Sequence, residues 1–219
     1  MKLNPFIAIA FSFACAPLWA QSQAVPLPGI KAAKATPAAS AKATTLNATG
    51  KLTPIGDGAT VLSADGKLIW MRCHIGQTFE KGQCLGEPKK MAQRDAENEI
   101  KRMNFTSGFA GHKDWRLPTI AELQTIVFCE QGFSTRRPII KLPTGQIAEL
   151  PDSCQGNSYL RPTIDPIIFP NAAQDWVWSS TPDADRVVNM WAINFASGSP
   201  APIGRVNNQT SARPVRTAK

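Results

Sequence analysis

The sequence predicts a small α+β domain whose strands are antiparallel. Between Pro88 and Met103, apolar residues recur at three- and four-residue spacing, which predicts a helix over residues 88–103. Between Val187 and Phe195, apolar side chains alternate with others, which predicts a half-buried strand. Because helical patterns come early in the chain and strand patterns come late, we expect a mixed fold with an antiparallel sheet.

Three shorter segments carry turn or strand signals. Residues 60–72 hold two apolar runs joined by Ala-Asp-Gly, and this pattern predicts a β-hairpin. A second turn is expected around Lys81 and Gly82. Residues 212–216, with the sequence ARPVR, are expected to form a closing strand.

The clearest local signal is a helix start at Thr119. Glu122 follows three residues later, and this spacing predicts a capping box, in which each side chain accepts a hydrogen bond from the other residue's main chain. An apolar stripe of three residues continues from there: Ile120, Leu123 and Val127. We interpret Trp115 and Arg116, just before the cap, as packing and salt-bridge residues.

The first twenty residues predict a signal peptide for export. A basic start is followed by an apolar run, and Ala20 stands just before a polar stretch where cleavage is expected. A transmembrane anchor would need about 20 apolar residues, and this run is shorter. Lipidation of Cys15 is a minor alternative, because the residues before it lack an aliphatic lead residue.

The remainder divides into a stalk and a domain. Residues 21–50 contain neither an aromatic nor an acidic residue, and this composition predicts a disordered stalk. Residues 51–219 have the usual size of one domain. We expect the mature chain in the periplasm, at the cell surface or secreted, with no stable membrane span once the signal peptide is removed.

Removal of the signal peptide leaves four cysteines in the chain: Cys73, Cys84, Cys129 and Cys154. An even number in an oxidising compartment predicts two disulfides, for which three pairings exist. We favour pairing of sequence neighbours, Cys73 with Cys84 and Cys129 with Cys154. A zinc site is not expected, because these cysteines are far apart and the whole chain has only two histidines.

More than half of the formal net charge of +8 precedes Asp57, on Lys2 and on the lysines of the stalk and the domain entrance: Lys31, Lys34, Lys42 and Lys51. From Asp57 onward, 19 basic residues stand against 16 acidic ones, an excess of only three. This modest excess and the predicted export argue against nucleic acid as the partner. Two acid-free stretches concentrate the remaining basic residues, one from Gln131 to Ala148 and one from Arg186 to the end.

A long loop is predicted over residues 129–163, which are rich in proline, glycine and serine. Loops of this length inside a compact domain are uncommon and often functional. The favoured disulfide between Cys129 and Cys154 would pin this loop to the domain.

Four sequence elements occur together in order: GKLIWMRC, HKDWRLPTIAELQTIV, IDPIIFPN, and a final set of VWSSTP, WAINFASG and ARPVR. Together they resemble the Lcl C-terminal domain family over about residues 55–217. The resemblance implies a C-type-lectin-like domain, with two helices around a twisted antiparallel sheet, to which the cysteine count adds the two disulfides. It also implies adhesion, since the family includes a collagen-like surface adhesin that binds sulfated glycosaminoglycans.

The chain departs from the family pattern in several ways. Its loop before Ile164 is longer and carries its own cysteine pair. The stalk lacks glycine at every third position, so collagen-driven trimerisation is not implied. The calcium-binding signatures of sugar-binding C-type lectins are absent from the sequence.

We therefore expect an exported, non-enzymatic binding or adhesion module for an anionic glycan or another surface polymer. Guanidinium groups suit sulfate and carboxylate because two N–H donors can meet two oxygens. The predicted ligand-binding residues come from the two acid-free stretches: Arg136, Arg137, Lys141, Arg186 and Arg205. Arg213 and Arg216 match the family's closing strand and are assigned to structure.

Two alternatives remain open. The chain can instead be a structural or accessory subunit of a pilus, secretion or envelope protein complex, with an envelope protein as partner. It can also be an enzyme related to formylglycine-generating enzymes. Against the enzyme, the cysteines are better explained as bridges, His112 near Asp114 is weak evidence for a triad, and Asp183 and Asp185 are expected to be solvated. We expect no catalytic residues, metal or cofactor, and a homo-oligomer stays open.

Overall fold

A computed structural model describes residues 52–142 and 144–219 of the 219-residue chain. The predicted signal peptide, residues 1–20, and the predicted stalk, residues 21–50, lie outside the described residues. The elements follow one another in this order: β1 (Thr53–Ile55), β2 (Thr60–Leu62), β3 (Leu68–Met71), β4 (Thr78–Glu80), β5 (Gln83–Leu85), α1 (Gln93–Phe105), α2 (Ile120–Gln124), β6 (Ile139–Lys141), β7 (Ile147–Glu149), β8 (Trp176–Pro182), β9 (Asn189–Asn194), β10 (Ser199–Gly204) and β11 (Val215–Thr217).

Antiparallel pairing of the strands confirms that part of the predicted fold. Within the described residues, however, the strands form four separate sheets rather than the one twisted sheet that the family resemblance implied. The largest has the order β1-β2-β3-β11, and β10-β9-β8 form a three-stranded sheet. The β4–β5 and β6–β7 hairpins each form a two-stranded sheet. None of the described helices is long and apolar enough to cross a membrane.

The predicted hairpin over residues 60–72 is the centre of the four-stranded sheet. Trp70 pairs with Val61 on β2 and with Val215 on β11, so the closing strand lies beside the early hairpin. All three side chains have no exposed surface. The second predicted turn is also present, with Lys81 and Gly82 at positive φ between β4 and β5.

Strand β9 is buried on both faces, which corrects the prediction of a half-buried strand. Trp191 and Ile193 pack into one hydrophobic cluster with α2 and β6, while Met190 and Ala192 pack into a second cluster with α1. The central position of β9 between β8 and β10 explains this burial, because helices or hairpins cover both sides of the sheet. Alternation of the apolar residues along this strand therefore did not mark an exposed face.

Helix α1 begins at Gln93, five residues later than predicted. The main-chain N–H of Lys89 donates to the carbonyl of Ile75, and Met91 pairs with Thr210, so this stretch is held in extended pairing instead. Pro88 was therefore the wrong start of the helix. The apolar face is as predicted, since Ala96 and Ile100 are buried.

The capping box at the start of α2 is confirmed. The Thr119 hydroxyl accepts from the main-chain N–H of Glu122, and the Glu122 carboxylate accepts from the main-chain N–H of Thr119. The helix is only five residues long. Turns continue from it and bury Val127 as the stripe predicted.

Both favoured disulfides are confirmed. Cys73 is bonded to Cys84, and Cys129 is bonded to Cys154. The region 129–163, however, is not the structureless loop that the sequence predicted, because it contains the β6–β7 hairpin.

Candidate functional site

The β6–β7 hairpin is anchored at its inner face and at its base. At the base, Cys154 bonds to Cys129 and its main-chain N–H donates to the carbonyl of Ser197. Ile140, with no exposed surface, and Leu150 belong to the main hydrophobic cluster. The hairpin is therefore fixed to the domain by its inner face and by a covalent bridge.

The outer face of the hairpin is apolar and exposed. In an antiparallel pair, residues directly opposite point to the same side. Ile139 lies opposite Glu149 and Lys141 lies opposite Ile147, so these four side chains share the outer face. Ile139 is 60% exposed and Ile147 is 66% exposed, which is unusual for large β-branched side chains.

A groove of about 550 Å³ lies between this outer face and the turn that joins β8 to β9. We call it the hairpin–turn groove. The following residues contribute to its two walls: Lys141, Leu142 and Ile147 from the hairpin, and Asp183, Ala184 and Val187 from the turn. Val187 is 77% exposed, and its neighbour Val188 is also exposed. Contiguous exposed apolar surface of this kind marks interaction sites.

An ion pair crosses the groove. Lys141 Nζ lies 3.0 Å from Asp185 Oδ1, and both side chains are more than half exposed. Asp183 below it is buried, and its carboxylate accepts from the main-chain N–H of Asp185 and from the Asn189 side-chain amide. The expectation that both aspartates are solvated is thus wrong for Asp183, because the β8–β9 turn folds its main chain around that carboxylate.

Arg136 and Arg137 lie before β6, whereas Lys141 ends it, so an extended strand separates them by about 15 Å. Arg136 Nη1 is 3.7 Å from Asp152 Oδ2. Arg137 donates from its guanidinium to the main-chain carbonyls of Ser134 and Arg136. Acidic residues from other parts of the chain therefore pair with basic residues of the acid-free stretch from Gln131 to Ala148. The three basic residues of this stretch do not form one patch.

Arg186 and Arg205 lie in and beside the β8–β9 turn. Arg186 is within that turn, one residue after the partner of Lys141. The main-chain N–H of Arg205 donates to the carbonyl of Val188 at 3.0 Å, which ties the end of β10 to the same turn. Neither guanidinium has a hydrogen-bonding or ionic partner among the described residues. Lys141, Arg186 and Arg205 are thus each linked to this turn, through an ion pair, through the chain and through a main-chain bond, and no such link is found for Arg136 or Arg137 among the described residues.

His112 and Asp114, the two residues considered for a catalytic triad, do not pair with each other. Both oxygens of Asp114 are engaged by Arg216, at 2.7 and 3.1 Å, and the hydrogen bond from Arg216 holds the pKa of the Asp114 carboxyl below its usual value. His112 is exposed in a tight turn that begins at Phe109. In residues 52–142 and 144–219, no three His, Cys, Asp or Glu side chains cluster as metal ligands do.

Trp115 and Arg116 have the structural roles predicted for them. Trp115 is buried, donates its indole N–H to the carbonyl of Phe109 and meets the Phe109 ring edge-on. Arg116 makes two 2.7 Å contacts with the Glu122 carboxylate, which adds a charged partner to the capping box. Arg216 is likewise buried and paired, as its assignment to structure predicted.

The apolar walls of the groove were not predicted from the sequence, in which the candidate binding residues were basic. A signal was present in IIKLPTGQIAEL, where β-branched residues flank a Pro-Thr-Gly turn, as in a hairpin. The exposure of Val187 and Val188 had no such signal, because the two valines continue the apolar pattern of the predicted strand over residues 187–195.

Comparison with known proteins gives one match. The sequence model of the Lcl C-terminal domain family matches residues 59–216. No curated protein and no solved structure matches the chain.

Proposed function

The chain belongs to the Lcl C-terminal domain family, and from this premise we propose that it is an exported, non-enzymatic binding module that docks an envelope protein in the hairpin–turn groove. In this reading the chain is an accessory or structural subunit of an envelope assembly. The two disulfides support an oxidising location.

The observation that carries the proposal is the apolar, exposed character of the groove. Ile147 and Val187 are each about two-thirds exposed or more, on opposite walls of a concave site. Protein interfaces have apolar centres and polar rims. The Lys141–Asp185 pair at the rim is charge-balanced, so it offers an isolated polyanion little net attraction.

The non-enzymatic part of the proposal rests on the chemistry of the reactive side chains. The four cysteines of the domain are joined in bridges, so they do not offer the reactive pair of formylglycine-generating enzymes. The Asp114 carboxylate is committed to Arg216 rather than to a histidine. A binding role uses the groove without either group.

Chemical cross-linking in the native host followed by affinity purification tests this function. The full chain carries either the paired substitutions Ile147→Asp and Val187→Asp or the control Phe105→Asp, which changes an 89% exposed side chain at the end of α1. We expect specific proteins to be lost from the groove variant and retained by the control. Equal recovery from both variants would contradict docking in the groove.

A second candidate is the anionic glycan predicted from the sequence, and one observation favours it. Arg186 and Arg205 are near the same turn and lack side-chain partners among the described residues. Heparin chromatography with a salt titration separates the two candidates, because guanidinium binding to a polyanion weakens steeply as salt rises. Retention that is lost in Arg186→Ala/Arg205→Ala, but not in a variant lacking Lys31 and Lys34, would favour the glycan.

Two finer assignments belong with this proposal. The C-type-lectin-like arrangement is supported by the sheet that holds the first three strands and the last one, in which β3 pairs with β11. Export through a cleaved signal peptide is supported by the disulfides. N-terminal sequencing of the secreted chain, with Gln21 as the expected first residue, tests the export proposal directly.

A further inference from the structure

We infer that the partner binds as an extended polypeptide strand, which adds to the free edge of β7 and places alternate apolar side chains in the hairpin–turn groove. This inference rests on the proposed protein-docking function. To that function the inference adds the conformation of the partner, the strand with which the partner pairs and the main-chain groups that the partner uses.

The main-chain groups of β7 point outward at two positions. The N–H of Leu142 donates to the carbonyl of Gln146, and the N–H of Leu150 donates to the carbonyl of Pro138. These bonds set the phase of the antiparallel pair, in which hydrogen-bonded and non-hydrogen-bonded residues alternate. Ile147 and Glu149 are therefore the β7 residues whose N–H and C=O groups face away from β6.

Those outward groups have no protein partner in the part of the chain that the structure describes. The β6–β7 sheet has two strands there, and no main-chain bond reaches Ile147 or Glu149 from another element. An unpaired edge of this kind is a template for a further strand. Added strands gain affinity from main-chain hydrogen bonds and specificity from pockets for alternate side chains.

The edges of β10 and β6 carry residues that block strand addition, and that of β7 does not. On β10, the bond from the Arg205 N–H to Val188 makes Pro200, Pro202 and Gly204 the outward positions, and the two prolines have no N–H to donate. On β6, Pro138 precedes the strand, and Lys141 is one of its outward residues. Lysine and proline are the usual means of blocking an edge, and β7 has neither.

The charge balance of the groove indicates an uncharged apolar segment as its occupant. Lys141 is matched by Asp185, and Glu149 is the remaining charge on the outer face of the hairpin. A strongly acidic partner would meet Glu149 and Asp185, and a strongly basic partner would meet Lys141 and Arg186. A neutral strand with an apolar side chain at every second position avoids repulsion between like charges and covers Ile147.

Selection of peptides on the immobilised full chain tests the inference, with a phage-displayed library of random dodecapeptides as the probe. We expect enriched peptides with apolar residues two positions apart. Absence of enrichment, or enrichment of acidic or basic runs, would overturn the inference.

Three variants then locate the binding of an enriched peptide. Ile147→Asp and Glu149→Pro should each weaken it about tenfold or more, the first by charging the groove and the second by removing an outward N–H. Ile139→Pro removes the matching outward N–H of β6 and should change affinity less than about threefold. Loss of binding in Ile139→Pro with retention in Glu149→Pro would overturn the choice of β7.

Amide hydrogen exchange of the unmodified chain gives a readout that does not depend on how the proline variants fold. In the complex with saturating peptide, the amides of Ile147 and Glu149 should exchange at least about tenfold more slowly than in the free chain. If Ile147→Asp abolishes peptide binding while these amides stay unprotected, docking in the groove stands and strand addition fails. If Ile147→Asp has no effect, the proposed docking function fails as well.

Discussion

The guanidinium carbon of Arg213 lies 4.7 Å from the centre of the Phe169 ring, in the interior of the domain. Arg213 is only 1% exposed and donates to the carbonyls of Met71 and Arg72. It therefore joins three distant segments, the end of β3, the IDPIIFPN turn and the segment before β11. These are three of the sequence elements on which the family resemblance rests.

Removal of this arginine should destabilise the whole domain. Arg213→Ala leaves two carbonyls without their donor and a cavity beside Phe169, so we expect a loss of at least about 3 kcal/mol in the free energy of unfolding. Urea denaturation measures it. Arg186→Ala, at an exposed position, should change the same quantity by less than about 0.5 kcal/mol. Similar small values for both variants would contradict the role of Arg213.

The capping box should give stability that depends on pH. Burial raises the pKa of the Glu122 carboxyl, but hydrogen bonds from Arg116 and from the Thr119 main chain outweigh it and leave the pKa below its usual value of 4.5. A carboxyl with a lowered folded-state pKa stabilises the fold above its usual pKa, and this contribution is lost as the pH falls through the folded-state pKa.

Glu122→Gln should therefore cost about 1 kcal/mol at pH 7 and progressively less below pH 4.5. Denaturant titrations at several pH values measure the difference from the unmodified chain. Glu87→Gln is the control, since Glu87 is exposed and makes no ion pair among the described residues. A cost for Glu122→Gln that stays constant down to pH 3 would argue against the ion pair with Arg116.

The two disulfides should differ in what they protect. Their sequence separations are 11 and 25 residues, for which chain entropy predicts stabilisation of about 2.8 and about 3.5 kcal/mol. Replacing Cys129 and Cys154 by serine should also raise amide exchange in β6 and β7, because that bridge anchors the hairpin. Replacing Cys73 and Cys84 should leave exchange in that hairpin unchanged. The reverse pattern of exchange would contradict the anchoring role.

Gly108 and Gly111 form a matched pair in the segment after α1. Both have positive φ, +72° and +76°, but a Cβ at Gly108 would lie 2.3 Å from the His112 carbonyl oxygen, whereas one at Gly111 meets nothing within 4 Å. Gly111→Ala should cost about 1 kcal/mol for the backbone conformation alone. Gly108→Ala should cost clearly more in thermal unfolding. Equal losses of stability in Gly108→Ala and Gly111→Ala would mean that the tight turn can open to admit a Cβ without penalty.

Local features of the fold were predictable where a few neighbouring residues decide the conformation. The Ala-Asp-Gly turn before β3 and the Thr119–Glu122 capping box depend on contacts within a few residues, and both are confirmed. The start of α1 was not predictable in this way. Lys89 and Met91, which follow Pro88, bond to the main chain of Ile75 and Thr210, and both partners are distant in sequence.

The candidate site shows the same division. The cysteines were predictable because their number and their neighbours in sequence restrict the pairing. The separation of Arg136 from Arg186 and the contact of Lys141 with Asp185 depend on how the hairpin lies against the β8–β9 turn. A charge count along the chain contains no information on that contact, so it predicted a basic patch where the structure has an apolar groove.

Site-specific photo-cross-linking at Val187 tests the central claim most directly. A benzophenone side chain replaces Val187 in the groove of the full chain in its native host, and a second variant carries it at Phe105 as the exposed control. The account predicts a discrete protein adduct from position 187 that is absent from position 105 and disappears when Ile147→Asp is added. A position-187 sample without protein adducts, or adducts that are the same from both positions, would contradict protein docking in the hairpin–turn groove.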